Sequence, residues 1–298
     1  MTKTSVIIPT YNGRHKIGNL LQSLESQTHS DFETLVVIDG STDGTLDYLH
    51  KEKWNLANFK IISQSNCGRA QVRNKGAKKA SGELLIFIDD DMRMEPNAIS
   101  LHIDHHQKFS NSILVGNQIE DLAKCKTSIQ KYKAYKSRFW GEPQEKYPKA
   151  LKEKNIFLTG ANFSISKNLF DTLEGFNPKL TDGEDLELAL RAHFMNTQLY
   201  FNREILGWHD DFISADYYIR RLQEYSSSIR KIVSLHPDWV GLFHFSQKKK
   251  MTGFKKVLHS FFGISFWISV IDSFNIFLIF PKGLRYKFYD LILTANSR

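Results

Sequence analysis

Short apolar runs alternate with helically spaced segments over the first ninety residues. The apolar runs are rich in β-branched residues and predict strands, whereas the segments between them repeat apolar residues at helical spacing. The predicted strands are 5–11, 33–40, 58–64 and 83–91, and the predicted helices are 16–27, 45–53 and 69–80. Strands that alternate with helices over short connections indicate βαβ units and a mostly parallel central sheet of the α/β class.

Polar residues gather where these predicted strands end. The runs PTYN (9–12), DGSTDGT (39–45) and DDD (89–91) each follow or close a strand. In open α/β sheets, ligands bind in the crevice outside the carboxyl ends of the strands. Adjacent carboxylates repel one another and are costly to bury unpaired, so the pattern predicts a cation beside residues 89–91.

The alternation loosens after about residue 112. Further strands are predicted within 112–120, 155–167 and 199–211, and a helix over 183–196 begins with Glu184 and Asp185 in its first turn. We therefore expect a catalytic domain over 1–215 and a helical C-terminal extension over 216–298.

The extension contains the most apolar stretch of the chain, 257–281, which is long enough to cross a bilayer. Ser265, Ser269, Asp272 and Ser273 form one polar stripe along it, and an aspartate at the centre of a spanning helix is costly. An amphipathic helix lying on an anionic membrane is predicted, because basic stretches (247–256 and 281–287) flank it. Packing on the catalytic domain or on another subunit, and a true span, stay open as alternatives.

Composition narrows the class of partner. The 298 residues are 41% hydrophobic and 24% charged, as in an ordinary globular protein, with a net charge of +8 and pI near 9.2. No zinc-finger spacing or RNA-binding aromatic signature is present, so nucleic acid is not a predicted partner. Two cysteines form no framework, and the N-terminus has no signal-peptide layout. A cytoplasmic location, at the cytoplasmic face of the membrane, is expected.

Six segments together carry a family resemblance: SVIIPTYN, VVIDGSTDGT, GRAQVRNKG, GELLIFIDDD, GANFSISK and GEDLELALR. In this order and spacing, from about residue 4 to residue 211, they resemble the family 2 glycosyltransferases of GT-A fold. The resemblance implies an inverting transfer of a sugar from a nucleotide-diphosphate sugar, a UDP-sugar above all. The implied acceptor is a hydroxyl of a glycan or of a lipid-linked molecule.

The DDD run can be interpreted both physically and through this resemblance. On an extended chain Asp89 and Asp91 point to the same side and can share one ligand, while Asp90 faces away. By similarity, Asp91 binds Mn²⁺ or Mg²⁺, and Asp89 binds the ribose or the water shell of the metal. Asp90 is counted among the nucleotide-binding residues. His209, in GWHDD, matches a histidine that completes the metal site in some relatives. The alternative is that these aspartates cap a helix beginning in MEPNAISLH.

Four further residues are assigned to the nucleotide by the resemblance. Pro9 and Tyr11 wall the nucleoside, Asp39 accepts a hydrogen bond from uracil, and Arg73 approaches the nucleotide. Ile38 departs from the family pattern, which has a second aspartate there. Tyr11 is alternatively a core residue, and Arg73 part of a solvated basic helix face.

The acidic pair at 184–185 is assigned to the acceptor side. Transfer to a hydroxyl needs a base to take its proton, and a carboxylate at a helix N-terminus is favoured as an anion. The resemblance makes Asp185 that base, Glu184 the residue that orients the acceptor, and Gly160 and Asn162 part of the acceptor pocket. The alternative is ordinary acidic decoration of a helix start. Two rival functions remain: a sugar nucleotidyltransferase of the same fold and a non-catalytic membrane-associated scaffold.

Overall fold

The computed structural model describes residues 3–138, 146–242, 253–274 and 276–297. Within this part of the chain there are two compact units, one of residues 3–119 and 146–210 and the other of the remaining described residues. The boundary differs from the expected division at 215, because residues 120–138 belong to the second unit. The predicted basic stretch at 247–256 lies outside the described residues as far as 252.

The first half of unit 1 follows the predicted alternation. Its elements are β1 (Thr4–Thr10), α1 (Ile17–Glu25), β2 (Glu33–Asp39), α2 (Thr45–Lys51), β3 (Phe59–Gln64), α3 (Arg69–Lys79) and β4 (Leu84–Ile88). Each strand is parallel to its neighbour: β1 pairs with both β2 and β4, and β2 pairs with β3. The carboxyl ends of β1, β2 and β4 consequently meet at one edge, as predicted.

The second half of unit 1 departs from this simple pattern. Its elements are β5 (Met92–Met94), α4 (Ala98–Lys108), β6 (Ser112–Ile119), β7 (Lys149–Ala150), β8 (Asn162–Ser166), α6 (Lys167–Thr172), α7 (Glu184–Phe194) and β9 (Gln198–His209). β8 is antiparallel to β4, and β9 is one long strand that pairs with β5, β6 and β7. Among the described residues the strand order is β3-β2-β1-β4-β8-β6-β9-β5, so the sheet is mixed.

Apolar side chains cover both faces of this sheet. On one face Phe87 and Phe163 stack with their ring centroids 4.7 Å apart, and Phe176 meets Phe87 edge-on. Helix α3 packs on this face closely because Gly76 carries no side chain, and a Cβ there would lie 2.4 Å from the side chain of Ile7. This close packing brings the polar residues of α3 down toward the sheet edge.

Unit 2 has its own apolar core. It consists of α5 (Ser128–Ser137), α8 (Ala215–Leu235), α9 (Phe254–Phe262), α10 (Phe266–Ser269), a π-helical turn (Val270–Phe274), a 3-10 turn (Ile276–Ile279) and α11 (Lys282–Asn296). Tyr289 and Ile292 of α11 are fully buried at its centre.

The apolar C-terminal segment is not the single amphipathic helix that its sequence predicts. It breaks at Gly263 and changes to a π-helical and then a 3-10 turn. Among the described residues, no one helix has the length and apolar character to cross a bilayer. The pair Phe254–Phe262 and Phe266–Phe274 meets those criteria only in combination, with a 65° bend between its members. Asp272 of the predicted polar stripe accepts hydrogen bonds from the N–H groups of Ala215 and Asp216 at the start of α8.

Candidate active site

Two loops are tied together at the carboxyl edge of the sheet. The N–H of Asn12, after β1, donates to Ser41 Oγ at 2.9 Å, and the N–H of Thr42 donates to Asn12 Oδ1 at 2.8 Å. Asn12 has φ of 50°, a left-handed conformation that asparagine tolerates. Tyr11, beside it, is 53% exposed, so it is not a core residue. An exposed ring on a fixed loop at this edge suits stacking against a planar ligand.

Asp39 closes strand β2 and organises the next loop. Its carboxylate accepts hydrogen bonds from the side chain of Gln64 (2.7 Å) and from the N–H groups of Cys67 (2.9 Å) and Gly68 (2.8 Å). The side chain is buried. These three donors explain how an unpaired carboxylate is kept at a strand end, and the predicted contact with uracil stays a prediction.

The three aspartates after β4 separate in a way that simple alternation does not predict. Strand β4 ends at Ile88, and the chain turns through Asp90 and Asp91 before β5 begins. Because of this turn, Asp90 and Asp91 share one neighbour, Lys16, while Asp89 points to Arg73. The pairing of Asp89 with Asp91 expected from an extended chain is therefore wrong. The alternative of a helix cap also fails, because the residue preceding α4 is Asn97.

Lys16 lies where the sequence predicts a cation, beside the aspartates that follow β4. Its Nζ lies 2.8 Å from Asp90 Oδ1 and 3.3 Å from Asp91 Oδ2. Burial acts to lower the pKa of Lys16, but the two carboxylates outweigh it and raise the pKa above its ordinary value. Burial and the charge of Asp91 raise the pKa of Asp90 to about 6, although Lys16 opposes them. Asp90 also accepts a 2.6 Å hydrogen bond from Thr10 Oγ1.

Asp91 faces a second basic group, His209. Strands β5 and β9 pair with Met92 opposite His209, and the N–H of Asp210 donates to the carbonyl of Asp91 at 2.8 Å. This backbone pairing sets His209 Nε2 3.4 Å from Asp91 Oδ1. Burial acts to raise the pKa of Asp91, but His209 and Lys16 lower it well below its ordinary range. Asp91 is thus held as an anion.

Asp91 and His209 fit a divalent cation that takes only a few of its ligands from the protein. Asp91 Oδ1 is buried and meets the geometric criteria of a hydrogen bond with none of the described residues, and its nearest basic group is His209 Nε2 at 3.4 Å. Within the part of the chain that the structure describes, no group of three or more His, Cys, Asp or Glu side chains is placed to enclose a metal. Mg²⁺ sites commonly use one or two carboxylates, with water and substrate phosphates completing the shell. Asp91 supplies one such carboxylate, and His209 adds an imidazole nitrogen beside it.

A buried arginine joins the aspartates to the acidic pair on α7. Arg73 is 5% exposed, and its guanidinium lies 2.5 Å from Asp89 and 2.7 Å from Glu184. Burial acts to lower the pKa of Arg73, but these two carboxylates raise it above its ordinary value. The alternative interpretation, in which Arg73 belongs to a solvated basic helix face, is wrong because the side chain is buried. The predicted contact with the nucleotide stays a prediction; Nη1 and Nη2 bind protein carboxylates, and Nε is buried with no hydrogen-bond partner among the described residues.

Asp185 lies at the N-terminus of α7, where no lysine, arginine or histidine of the described residues forms an ion pair with it. Its oxygens accept hydrogen bonds from the N–H groups of Gly160 (3.0 Å) and Leu186 (2.8 Å). Burial and the neighbouring charge of Glu184 raise the pKa of Asp185 to about 6. A carboxylate that is held by two amides and titrates near neutrality has the properties of a general base. Glu184, predicted to orient an acceptor, is buried against Arg73.

The two residues predicted for the acceptor pocket have different placements. Gly160 lies directly against the site: its N–H holds Asp185, and a Cβ there would lie 2.7 Å from the Arg73 guanidinium. Asn162 is fully buried in β8, where its amide donates to the carbonyls of Asn117 and Ile205 and its oxygen contacts His102. The structure does not support a pocket-lining side chain at Asn162, because all its polar atoms bind the core.

Comparison with known proteins identifies this arrangement. The model of the family described as glycosyl transferase family 2 matches residues 5–174, more than half of the chain. The chain belongs to glycosyl transferase family 2. The match includes the DDD run and ends before α7 and β9, so Asp185 and His209 lie outside it.

Curated relatives of this family 2 glycosyltransferase are themselves named glycosyltransferases. An uncharacterised glycosyltransferase of Bacillus subtilis, YfnE, is 31% identical over 197 residues, which cover 62% of this chain and 48% of the relative. The putative glycosyltransferase EpsH of the same organism is 29% identical over 197 residues, covering 64% of this chain and 55% of the relative. The chain thus spans about half the length of these curated relatives.

Solved structures share the fold of this family 2 glycosyltransferase. A mannosyltransferase of Pyrobaculum calidifontis, in complex with GDP-Man and Mn²⁺, gives a TM-score of 0.59 at 15% identity, covering 99% of this chain and 87% of that one. TarS 1-349 of S. aureus, in complex with UDP, gives 0.56 at 19% identity, covering 99% and 89%. The predicted GT-A fold is confirmed, with a sheet that is mixed rather than mostly parallel.

Lys16 is the site residue that sequence reasoning missed. It stands at the N-cap position of α1, which has no acidic residue in its first turn. A cation at a helix N-terminus is disfavoured by the helix dipole, so a lysine at this position is unexpected from local sequence preferences. Such exceptions mark sites where a distant partner compensates, and here the partners are Asp90 and Asp91.

Proposed function

We propose that this protein transfers a sugar from a nucleotide-diphosphate sugar, with UDP as the carrier, to a hydroxyl of a glycan or lipid-linked acceptor, with inversion at the anomeric carbon. One observation carries the proposal: the Arg73 guanidinium binds Asp89 of the DDD run and Glu184, the neighbour of Asp185. Arg73 therefore places a donor-side carboxylate next to the helix start that carries the candidate base, so both lie in one site.

Relatives support a nucleotide-sugar donor. TarS of Staphylococcus aureus is named a poly(ribitol-phosphate) beta-N-acetylglucosaminyltransferase, and it is 41% identical to this chain over 95 residues, covering 30% of this chain and 16% of that one. Its fragment 1-349 has been solved with UDP and with UDP-GlcNAc. We assign Pro9, Tyr11 and Asp39 to the nucleoside, because they lie on β1, β2 and the loop at the same sheet edge. We also propose that this protein acts at the cytoplasmic face of a membrane.

A divalent cation, Mn²⁺ or Mg²⁺, would be held by Asp91 and His209. When bound, it supplies charge neutralisation to the departing diphosphate. Lys16 lies against the same carboxylates and adds a second positive charge beside the leaving group. Asp89 is held by Arg73, which leaves its other oxygen available to the ribose.

Asp185 completes the reaction. The acceptor oxygen bonds to the anomeric carbon as the bond from that carbon to the phosphate oxygen breaks. The electron pair leaves with the nucleotide diphosphate, and the hydroxyl proton passes to Asp185. A pKa of about 6 keeps Asp185 ionised at neutral pH yet basic enough to accept that proton. Its two amide donors fix the direction of the carboxylate.

Calorimetric binding of UDP, with and without Mn²⁺, tests the donor half of the proposal. Wild type is expected to bind UDP with a metal-dependent gain that Asp91→Ala and His209→Ala both abolish. Asp171→Asn, an exposed acidic residue of the same unit, is the control and is expected to bind as wild type. If wild type binds UDP in neither condition, UDP is not the carrier and the proposal fails. Metal-dependent binding that survives both substitutions would remove Asp91 and His209 from the site.

A further inference from the structure

The C-terminal unit leaves an unusual amount of apolar surface uncovered. Phe254 is 75% exposed and Ile279 is 78% exposed, although Tyr289 and Ile292 of the same unit are fully buried. The other large apolar side chains exposed in this part of the chain are Val257, Phe261, Ile264, Phe266, Phe274, Ile276, Leu278 and Leu284. Scattered exposed apolar residues are ordinary, but a contiguous group of this size marks an interaction surface.

These side chains form a continuous surface. On α9, Phe254, Val257 and Phe261 follow i, i+3, i+7 spacing and share one helix face. Trp267 extends this face past the bend, with ring centroids 5.1 Å from Phe261 and 5.4 Å from Phe266. Trp267 also lies 6.1 Å from Phe277, which is buried in the core beneath this face, and the exposed residues Ile276 and Leu278 flank Phe277 in the chain. We call this set of residues, from Phe254 to Ile279, the aromatic surface.

Charge around the aromatic surface has one sign. Between residues 253 and 290 the sequence carries Lys255, Lys256, Lys282, Arg285 and Lys287 but only two acidic residues, Asp272 and Asp290, and Asp290 is paired with Lys136. Asp272 is not directed at a partner: its carboxylate accepts the backbone N–H groups of Ala215 (2.7 Å) and Asp216 (3.2 Å) at the start of α8. The exposed charge beside the apolar residues is therefore positive at both ends.

We propose that the aromatic surface docks on an anionic lipid bilayer and lies in its interfacial region. Exposed aromatic rings flanked by lysines match the boundary between headgroups and acyl chains. A second copy of this chain fits less well, because a two-fold contact would bring the same lysines together. A span fits less well too, because the segment is bent by 65° and Asp272 is committed to α8. This inference is independent of the sugar-transfer proposal.

Vesicle co-sedimentation of the full chain is the test. Wild type is expected to bind vesicles of phosphatidylcholine mixed with phosphatidylglycerol, to bind pure phosphatidylcholine weakly, and to lose binding as salt increases. Phe254→Ser combined with Ile279→Ser is expected to lower the partition coefficient by roughly tenfold or more. Both side chains are exposed, so the double variant keeps the core. Lys255→Glu with Lys256→Glu should remove the preference for the anionic vesicles.

The matched control removes apolar surface elsewhere. Phe194→Ser with Met195→Ser, two exposed residues at the end of α7, is expected to bind vesicles as wild type. Equal binding by wild type and the Phe254/Ile279 double variant would overturn the proposal. A lipid-free dimer in sedimentation velocity that this double variant dissociates would assign the surface to self-association instead. Retention in the membrane pellet after alkaline carbonate extraction would show insertion and also overturn interfacial docking.

Discussion

Asp91 and Asp185 each belong to a pair of neighbouring acids, Asp90–Asp91 and Glu184–Asp185, but their electrostatic environments shift the two pKa values in opposite directions. Asp91 lies near Lys16 and His209, and its pKa is held low. Asp185 accepts hydrogen bonds from two backbone amides, and burial and the charge of Glu184 raise its pKa to about 6. Neighbouring groups thus keep one aspartate ionised and bring the other into the range where a carboxylate can take a proton, which is the division of roles that the proposed function uses. Environment, rather than residue type, assigns the roles.

The largest effect is expected from removing the base. Asp185→Asn keeps the shape of the side chain and removes its ability to accept a proton, so sugar transfer should fall by roughly 10²–10⁴-fold. UDP binding should be unchanged, because the other acidic pair holds the donor. Steady-state transfer and calorimetry on the same preparation measure both quantities. Near wild-type turnover by Asp185→Asn would show that Asp185 is not the base.

Next comes the arginine that connects the pairs. Arg73→Met leaves Asp89 and the buried Glu184 without their cation, and loss of one member of a buried ion pair costs about 3–5 kcal/mol. The matched control is Arg69→Met on the same helix, where a half-exposed guanidinium pairs with Asp182 and about 0–1 kcal/mol is expected. Urea denaturation gives both free energies of unfolding. Equal losses in the two variants would mean that Arg73 contributes no more than a surface pair.

The pH dependence of transfer sharpens the same contrast. The ionised form of Asp185 is the active one, so kcat/KM should increase with pH and level off above about 6. Below that pH the rate should fall about tenfold per unit. Asp91, in contrast, should stay ionised throughout this range, because its pKa lies well below it. A flat rate profile between pH 5 and 8, on a stable enzyme, contradicts the assignment of the base.

The smallest effect concerns competition for the anionic pair. Lys16→Met removes a cation that already occupies Asp90 and Asp91, so Mn²⁺ should bind the nucleotide-free protein several-fold more tightly. Manganese titration by electron paramagnetic resonance measures this directly. Lys60→Met is the control, since Lys60 pairs with Glu33 at the opposite end of β2. Weaker Mn²⁺ binding by Lys16→Met would show that Lys16 positions the carboxylates instead of competing for them.

The parallel half of the fold could be predicted from sequence because each of its elements is long enough to show a period. Strands β1 to β4 lie within two residues of the predicted starts, and their polar ends meet as expected. The three-residue strand β5 is too short to give a pattern, and β8 begins well after its predicted start at 155. The C-terminal helix was mispredicted because a period of apolar residues does not reveal where local turns break it.

The site shows the same limits. Motif spacing placed Asp39, Asp91 and Asp185 at element ends, where the structure has them. It could not show that Arg73 is buried, because that depends on the close packing of Gly76 against Ile7. Nor could it show that Lys16 meets Asp90 and Asp91, since a contact over more than seventy residues leaves no local pattern.

Pairing between β5 and β9 has a consequence for the order of synthesis. It joins Met92 to His209, so the backbone ladder that positions the proposed metal pair forms only when the strand ending at His209 has left the ribosome. A nascent chain at residue 174 contains the whole family-matched region and all three aspartates of the DDD run. It contains neither Asp185 nor the imidazole. The proposed base and metal ligand therefore join the site only in the last stage of translation of this domain, and a chain terminated at residue 174 lacks both of them as well as β9, the partner of β5, β6 and β7.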